Sequence, residues 1–121
     1  MSERTIVSTD GAPAAIGPYS QGVKGAGLVH CSGQIAMDPA SGEVIGDDAA
    51  TQAEGALKNL QAVLEAAGSS LDKVLKCNVY IIDMGEFAAI NEVYGRFFTG
   101  DSPPARACVE VSGLPKGALF E

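Results

Sequence analysis

The chain has 121 residues, 46% of them hydrophobic and 19% charged, and a formal net charge of −7. That length supports a single domain, residues 1–121, with one core, and the composition excludes a disordered chain. The acidic balance, with Lys24, Lys58, Lys73, Lys76 and Lys116 scattered, excludes the clustered basic surface that nucleic-acid backbones require.

Cys31, Cys77 and Cys108 form no C-x-x-C pair, and His30 is the one histidine. A disulfide framework and a structural zinc site are therefore not expected, nor is any other metal. Free thiols without a secretory leader, and without an apolar run of the roughly 20 residues that span a bilayer, predict a soluble cytoplasmic protein.

The N-terminal quarter is rich in Gly and Pro and reads as loop, with short strands near Thr5–Ser8 and Gln21–Lys24. Leu28–Ile35 reads as a better strand interrupted by Gly33, where a bulge or a close backbone approach is expected. Asp38-Pro-Ala-Ser-Gly42 is a turn. Ala53, Ala56, Leu57, Leu60, Val63, Leu64 and Ala67 recur at helical spacing. Asp47 or Asp48 can cap that helix, Gly68 can stop it, and Glu54 and Lys58 are placed to pair on its wet face. Val74–Ile82 is a strand that sends Leu75, Cys77, Val79 and Ile81 to one face. Asp83-Met-Gly-Glu86 resembles a capping box and opens a second helix with Phe87, Ile90, Tyr94 and Phe97 toward the core.

Ser102-Pro-Pro-Ala-Arg106-Ala-Cys108-Val-Glu110-Val111 begins a strand after its prolines, which cannot donate to a ladder. Alternation places Arg106, Cys108 and Glu110 on one face, opposite Ala107, Val109 and Val111. An arginine on a strand is either an edge residue paired with Glu110 or a neighbour, or a two-pronged receptor for a carboxylate or phosphate. A turn through Ser112–Gly117 then leads to a last strand, Ala118–Glu121. If the hairpin centres between Gly113 and Leu114, Glu121 lies opposite Arg106 on the same face; a one-residue slip would send it to the other. The order β-β-β-α-β-α-β-β predicts an α+β fold with two helices on one face of a single mixed sheet. Its second apolar face asks for a homo-oligomer.

Ile16-Gly-Pro-Tyr-Ser-Gln-Gly22, Ser32-Gly-Gln-Ile35, Gly42-Glu-Val44, Asn59-Leu60, Asn91, Phe97-Phe98, Pro104–Val111 and Leu114-Pro-Lys-Gly117 together resemble the Rid/YjgF family, in order and over almost the whole chain. The resemblance implies a chorismate-mutase-like α+β fold, assembled as a homotrimer around a central barrel with active sites between subunits. It implies hydrolysis of reactive 2-imino or enamine acids, 2-iminobutanoate and 2-iminopropanoate, to 2-keto acids and ammonia, with no cofactor. By the same match, Arg106 would hold the substrate carboxylate, Glu121 would position the water, and the Cys108 backbone would help bind. Tyr19, Ser32, Gly33 and Asn91 fall where the remaining pocket residues lie, with Tyr19 or a water as proton donor. Relatives continue with several more strand residues of the Ile-Glu-Ala type, whereas this sequence stops at Glu121, where terminal residues fray unless tied down.

The other residues read more plainly. Cys108 lacks an adjacent base that would make it a nucleophile, and no Ser-His-Asp set can be built around Ser32. Tyr94, Phe97 and Phe98 read as core. The alternative functions are a non-catalytic trimer that binds 2-keto acids, a chaperone-like trimer, and a ribonuclease, the last disfavoured by acidity and a single histidine.

Overall fold

The structure, a computed structural model, describes residues 3–121. Strands β1 (Thr5–Val7), β2 (Gly22–Gly25) and β3 (Leu28–Cys31) form an antiparallel sheet in that order. Ala26 and Gly27 turn β2 into β3 with φ of 52° and 79°, the left-handed pair that matches the twist of a tight hairpin. The strand expected to reach Ile35 ends at Cys31. Beyond it the backbone is drawn onto the first helix by Asn59, whose Nδ2 donates to the carbonyls of Ile35 and Met37 at 3.0 and 2.9 Å. Met37 bridges Val44 across the expected turn.

Helix α1 (Ala49–Ala66) starts where Asp48 accepts the Thr51 N–H at 2.7 Å. It stops at Gly68, whose φ of 83° lets the Ser69 N–H reach back to the Leu64 carbonyl at 2.8 Å. Its predicted apolar face is buried, with Ala53 and Val63 fully enclosed. Helix α2 (Phe87–Phe97) follows a single 3₁₀ turn, Met84–Glu86, which the Asp83 carboxylate caps through the Gly85 N–H. Among the described residues the one ion pair joins Glu92 to Arg96 at 3.1 Å, so the pair expected between Glu54 and Lys58 is not made.

Strand β4 (Lys76–Ile81) alternates without exception: Cys77, Val79 and Ile81 are buried while Lys76, Asn78 and Tyr80 are exposed. The buried set packs against α1 and α2, with Ile81 and Ile90 nearly inaccessible. Strand β5 (Ala105–Glu110) pairs with β4 in parallel, Cys77 against Arg106 and Val79 against Cys108. Two expectations are corrected here. The β5 strand does not fold back on the C-terminal segment; that segment pairs antiparallel with the opposite edge of β4. The Tyr80 N–H reaches the Glu121 carbonyl at 2.8 Å, and the Glu121 N–H reaches the Tyr80 carbonyl at 2.9 Å. And the strands form two sheets rather than one, β1-β2-β3 and β4-β5. A register argument confined to neighbours in sequence favours a hairpin; burial of Phe120 beside Ile81 decides otherwise. Among the described residues no helix is long and apolar enough to cross a membrane.

Asn59 is 6% exposed and satisfies two carbonyls that water does not reach readily. Asn59→Ala leaves both unpaired in the interior, at a cost of about 1–3 kcal/mol. Urea unfolding should show that loss as a lower midpoint with an unchanged slope.

Candidate active site

The residues singled out by sequence fall into two groups on opposite sides of β4. The first lies on β5 and α2. Because β5 matches Arg106 to Cys77, the arginine side chain leaves the sheet on the helix side. There its Nη1 donates to the Asn91 Oδ1 at 2.6 Å. Its guanidinium carbon stands 4.8 Å from the centroid of the Tyr94 ring and 5.3 Å from that of Phe87. Two aromatic faces and one amide fix the guanidinium without neutralising it. The ion pair considered with Glu110 is not formed: the Glu110 Oε1 instead accepts the Met84 N–H at 2.8 Å, fastening the start of the 3₁₀ turn to β5. Arg106 is thus an exposed cation with donors to spare.

Cys108 shares that face and touches the core cluster. Burial raises its thiol pKa, while the Arg106 charge pulls the other way. The thiol stays protonated near neutrality and is no nucleophile. Its backbone is better placed. The Ala105 and Val111 N–H groups bond to the carbonyls of Leu75, just before β4, and of Ile81 at its end. In a parallel ladder the residues between them alternate, so the amide and carbonyl of Cys108 point to the free outer edge of β5.

The second group gathers around a cleft of about 460 Å³ whose lining includes Tyr19, Ser32, Gly33 and Glu121. Glu121 is tied to β4 by its two main-chain bonds to Tyr80. Its carboxylate fits against Gly33 so closely that a Cβ there would stand 2.6 Å from its Oε2. The close approach foreseen at Gly33 is therefore met by a side chain. Burial raises the Glu121 carboxyl above the usual glutamate range. The Ser32 N–H donates to the Gln21 carbonyl at 2.9 Å and its hydroxyl to the Ser20 carbonyl, which commits the serine to holding this loop. Tyr19, 49% exposed, stands at the rim.

Arg106 and Glu121 are consequently not cross-strand partners. One projects with the buried face of β4 and the other with its exposed face, and β4 itself lies between them. Three contributors escaped the reading by motif. Gln21 is 5% exposed and knits the preceding loop: its Oε1 takes the Thr9 N–H at 2.7 Å, and its Nε2 donates to the carbonyls of Thr9, Ala12 and Pro13. Phe87 and Tyr94 serve the core as expected, and also seat Arg106. A polar residue within an apolar-flanked Gly/Pro loop was the available signal for the first; nothing in spacing signals the second. Among the described residues no three His, Cys, Asp or Glu side chains converge where they could hold a metal ion.

Comparison with known proteins gives this geometry a lineage. A family model described as Endoribonuclease L-PSP matches residues 9–121. Protein DfrA of Myxococcus xanthus is 50% identical over 120 residues, covering 98% of this chain and 91% of that protein. The 2-iminobutanoate/2-iminopropanoate deaminase of Mus musculus is 44% identical over 118 residues, covering 98% and 87%. The crystal structure of YyfA from Yersinia pestis, a conserved Rid family protein of unknown function, superposes with a TM-score of 0.94 at 41% identity, covering 98% of this chain and 94% of that one. The chain belongs to the Rid/YjgF family, whose members include proteins named as imine deaminases.

Proposed function

We propose that this protein hydrolyses short 2-imino acids and their enamine tautomers, 2-iminobutanoate and 2-iminopropanoate, to 2-keto acids and ammonia. The observation that carries the reading is Arg106: an exposed guanidinium on a strand, oriented by Asn91 and two aromatic rings and left without a carboxylate. Such a group suits a small carboxylate, which it can grip with two parallel hydrogen bonds. The free Cys108 amide beside it supplies a further donor.

In this reading, the substrate carboxylate anchors on Arg106 and the C=N carbon faces a water held by Glu121. Tyr19 or a second water protonates the imine nitrogen. Glu121 accepts a proton from the attacking water as the C–O bond forms, giving a carbinolamine. Return of that proton to nitrogen lets ammonia leave as the hydroxyl oxygen becomes the keto oxygen, its proton passing back to the Tyr19 phenolate or hydroxide left by the first step. Orientation of an already electrophilic carbon accounts for much of the rate gain, and general-base help for about 10²–10⁴-fold. No cofactor enters the balance.

Since Arg106 and Glu121 lie on opposite sides of β4, a site using both is built between copies of the chain. A homotrimer with the β4-β5 sheet lining a central barrel meets that need. The exposure of Val109 and Tyr80 on that sheet's helix-free face, 46% and 38%, supports its being covered by other copies. The net charge of −7 and single histidine weigh against RNA cleavage. Hydrolysis separates the enzyme from a trimer that only binds 2-keto acids or acts as a chaperone: coupled to a threonine dehydratase, only the enzyme speeds imine loss.

Arg106→Ala should lower kcat/KM by about 30- to 5,000-fold, the equivalent of roughly 2–5 kcal/mol for losing a desolvated charge contact. Its trimer should persist by light scattering; near-normal hydrolysis would sink the assignment. Gly33→Ala drives a methyl group into the Glu121 carboxylate and should depress kcat more than KM. The pH profile follows from the same carboxylate. Its raised pKa means the base form is lost as pH falls through a value above the ordinary glutamate range, so the acid limb of kcat should lie above that range. In Glu121→Gln the limb should disappear along with most of the rate.

A further inference from the structure

Arg106 and the groups that seat it belong to different elements: the arginine to β5, and Phe87, Asn91 and Tyr94 to α2. The seat therefore exists only while α2 keeps its place along β5. On its inner side α2 packs through Ile90 and Val93 into the apolar core it shares with α1. Those contacts hold the helix down but fix its position along its own axis only loosely, because apolar attraction has no direction. Direction comes from hydrogen bonds, and among the described residues two join β5 to the segment from Asp83 to Phe97. One is the Arg106–Asn91 bond itself, at 2.6 Å. The other is the Met84 N–H donating to the Glu110 carboxylate at 2.8 Å. Met84 carries that tie straight to the seat, since its carbonyl accepts the N–H of Phe87, the first residue of α2.

We propose that Glu110 is a positioning residue for Arg106. By anchoring the turn that leads into α2 to the end of β5, it sets two rings and an amide where they aim the guanidinium at a substrate carboxylate. What Arg106 binds rests on the deaminase reading; how it is held does not. Glu110 does not act through its charge. The two residues stand about 13 Å apart along β5. Exposed charges at that separation are largely screened in physiological salt, where the Debye length is about 8 Å. Nor do the two side chains form an ion pair. The effect is geometric. A substrate carboxylate draws the guanidinium toward itself, and the Asn91 bond alone would let α2 follow; the second tie, at the far end of the strand, resists that. Precision of this kind matters, because a misplacement of about 1 Å near a reacting centre can cost on the order of 100-fold in rate.

The test reads Arg106 directly by NMR. The chain has three arginines, Arg4, Arg96 and Arg106, so the Arg106 Nε–Hε signal is assigned by its loss in Arg106→Ala. The Phe87 and Tyr94 ring currents should place it upfield of the signal from exposed Arg4. Glu110→Ala removes an exposed side chain, opens no cavity and should move the signal at least halfway back to the Arg4 position. Glu110→Gln keeps the acceptor oxygen and should leave it in place. In the dehydratase-coupled assay Glu110→Ala should lower kcat/KM by about 10- to 100-fold. Added to Arg106→Ala, it should cost less than about twofold, because it acts through the arginine. A residue serving stability alone would lower the melting temperature, leave the Arg106 signal unmoved and act equally in both backgrounds; that result overturns the proposal. So does a wild-type Arg106 signal at the Arg4 position, or a Glu110→Gln signal that moves as far as that of Glu110→Ala. If the wild-type protein hydrolyses no imine, the deaminase reading falls, and the Arg106 signal still decides for or against Glu110.

Discussion

β4 gives its two hydrogen-bonding edges to different partners and its two faces to different environments, and every placement of functional interest follows from that. Cys77, Val79 and Ile81 are driven inward by contact with α1 and α2, which sets the phase of the strand. With the phase set, the same odd residues carry the parallel ladder to β5, and the even ones turn to the C-terminal segment. A shift of β4 by one residue would expel its buried side chains and reverse both ladders. The register is therefore held by the core rather than by any turn.

From this strand the chemistry divides. Arg106 inherits the inward phase through its pairing with Cys77 and finds the aromatic edge of α2 waiting for it. Its charge survives because Glu110, the nearest candidate in sequence, is occupied with the Met84 amide. Glu121 inherits the outward phase through Tyr80 and is pressed against Gly33 at the end of β3, where partial burial favours its protonated form. Seating a guanidinium on aromatic rings and moving a carboxyl partly out of water both cost hydration. Each is held here by neighbours whose own reasons for being there are packing and backbone pairing.

Much of this could be read from the residues alone. The α1 periodicity from Ala53 to Ala67 and its Asp48 and Gly68 boundaries are local signals, decided within one turn of the chain. So is the alternation of β4 and β5. The family was legible through the long motifs around Tyr19, Ser32 and Arg106, a resemblance the comparisons bear out. The C-terminal pairing was not legible in this way. A short turn between two strands of sequence looks like a hairpin, and only the competition for the free edge of β4 shows that Phe120 gains more by burial beside Ile81. Gln21 was missed as a strut because its four bonds go to backbone atoms, which leave no trace in the identity of the residues they join.

By itself, then, the sequence determined both helices, the inward phase of β4 and the family, because each depends on periodicity or on contiguous motifs. Only the tertiary structure decided which residues meet. It separated Arg106 from Glu121 by placing β4 between them, gave the arginine its aromatic seat, and set the carboxylate against Gly33. Those outcomes depend on which strand occupies which edge, a choice made by burial across the whole core, and no local pattern encodes it.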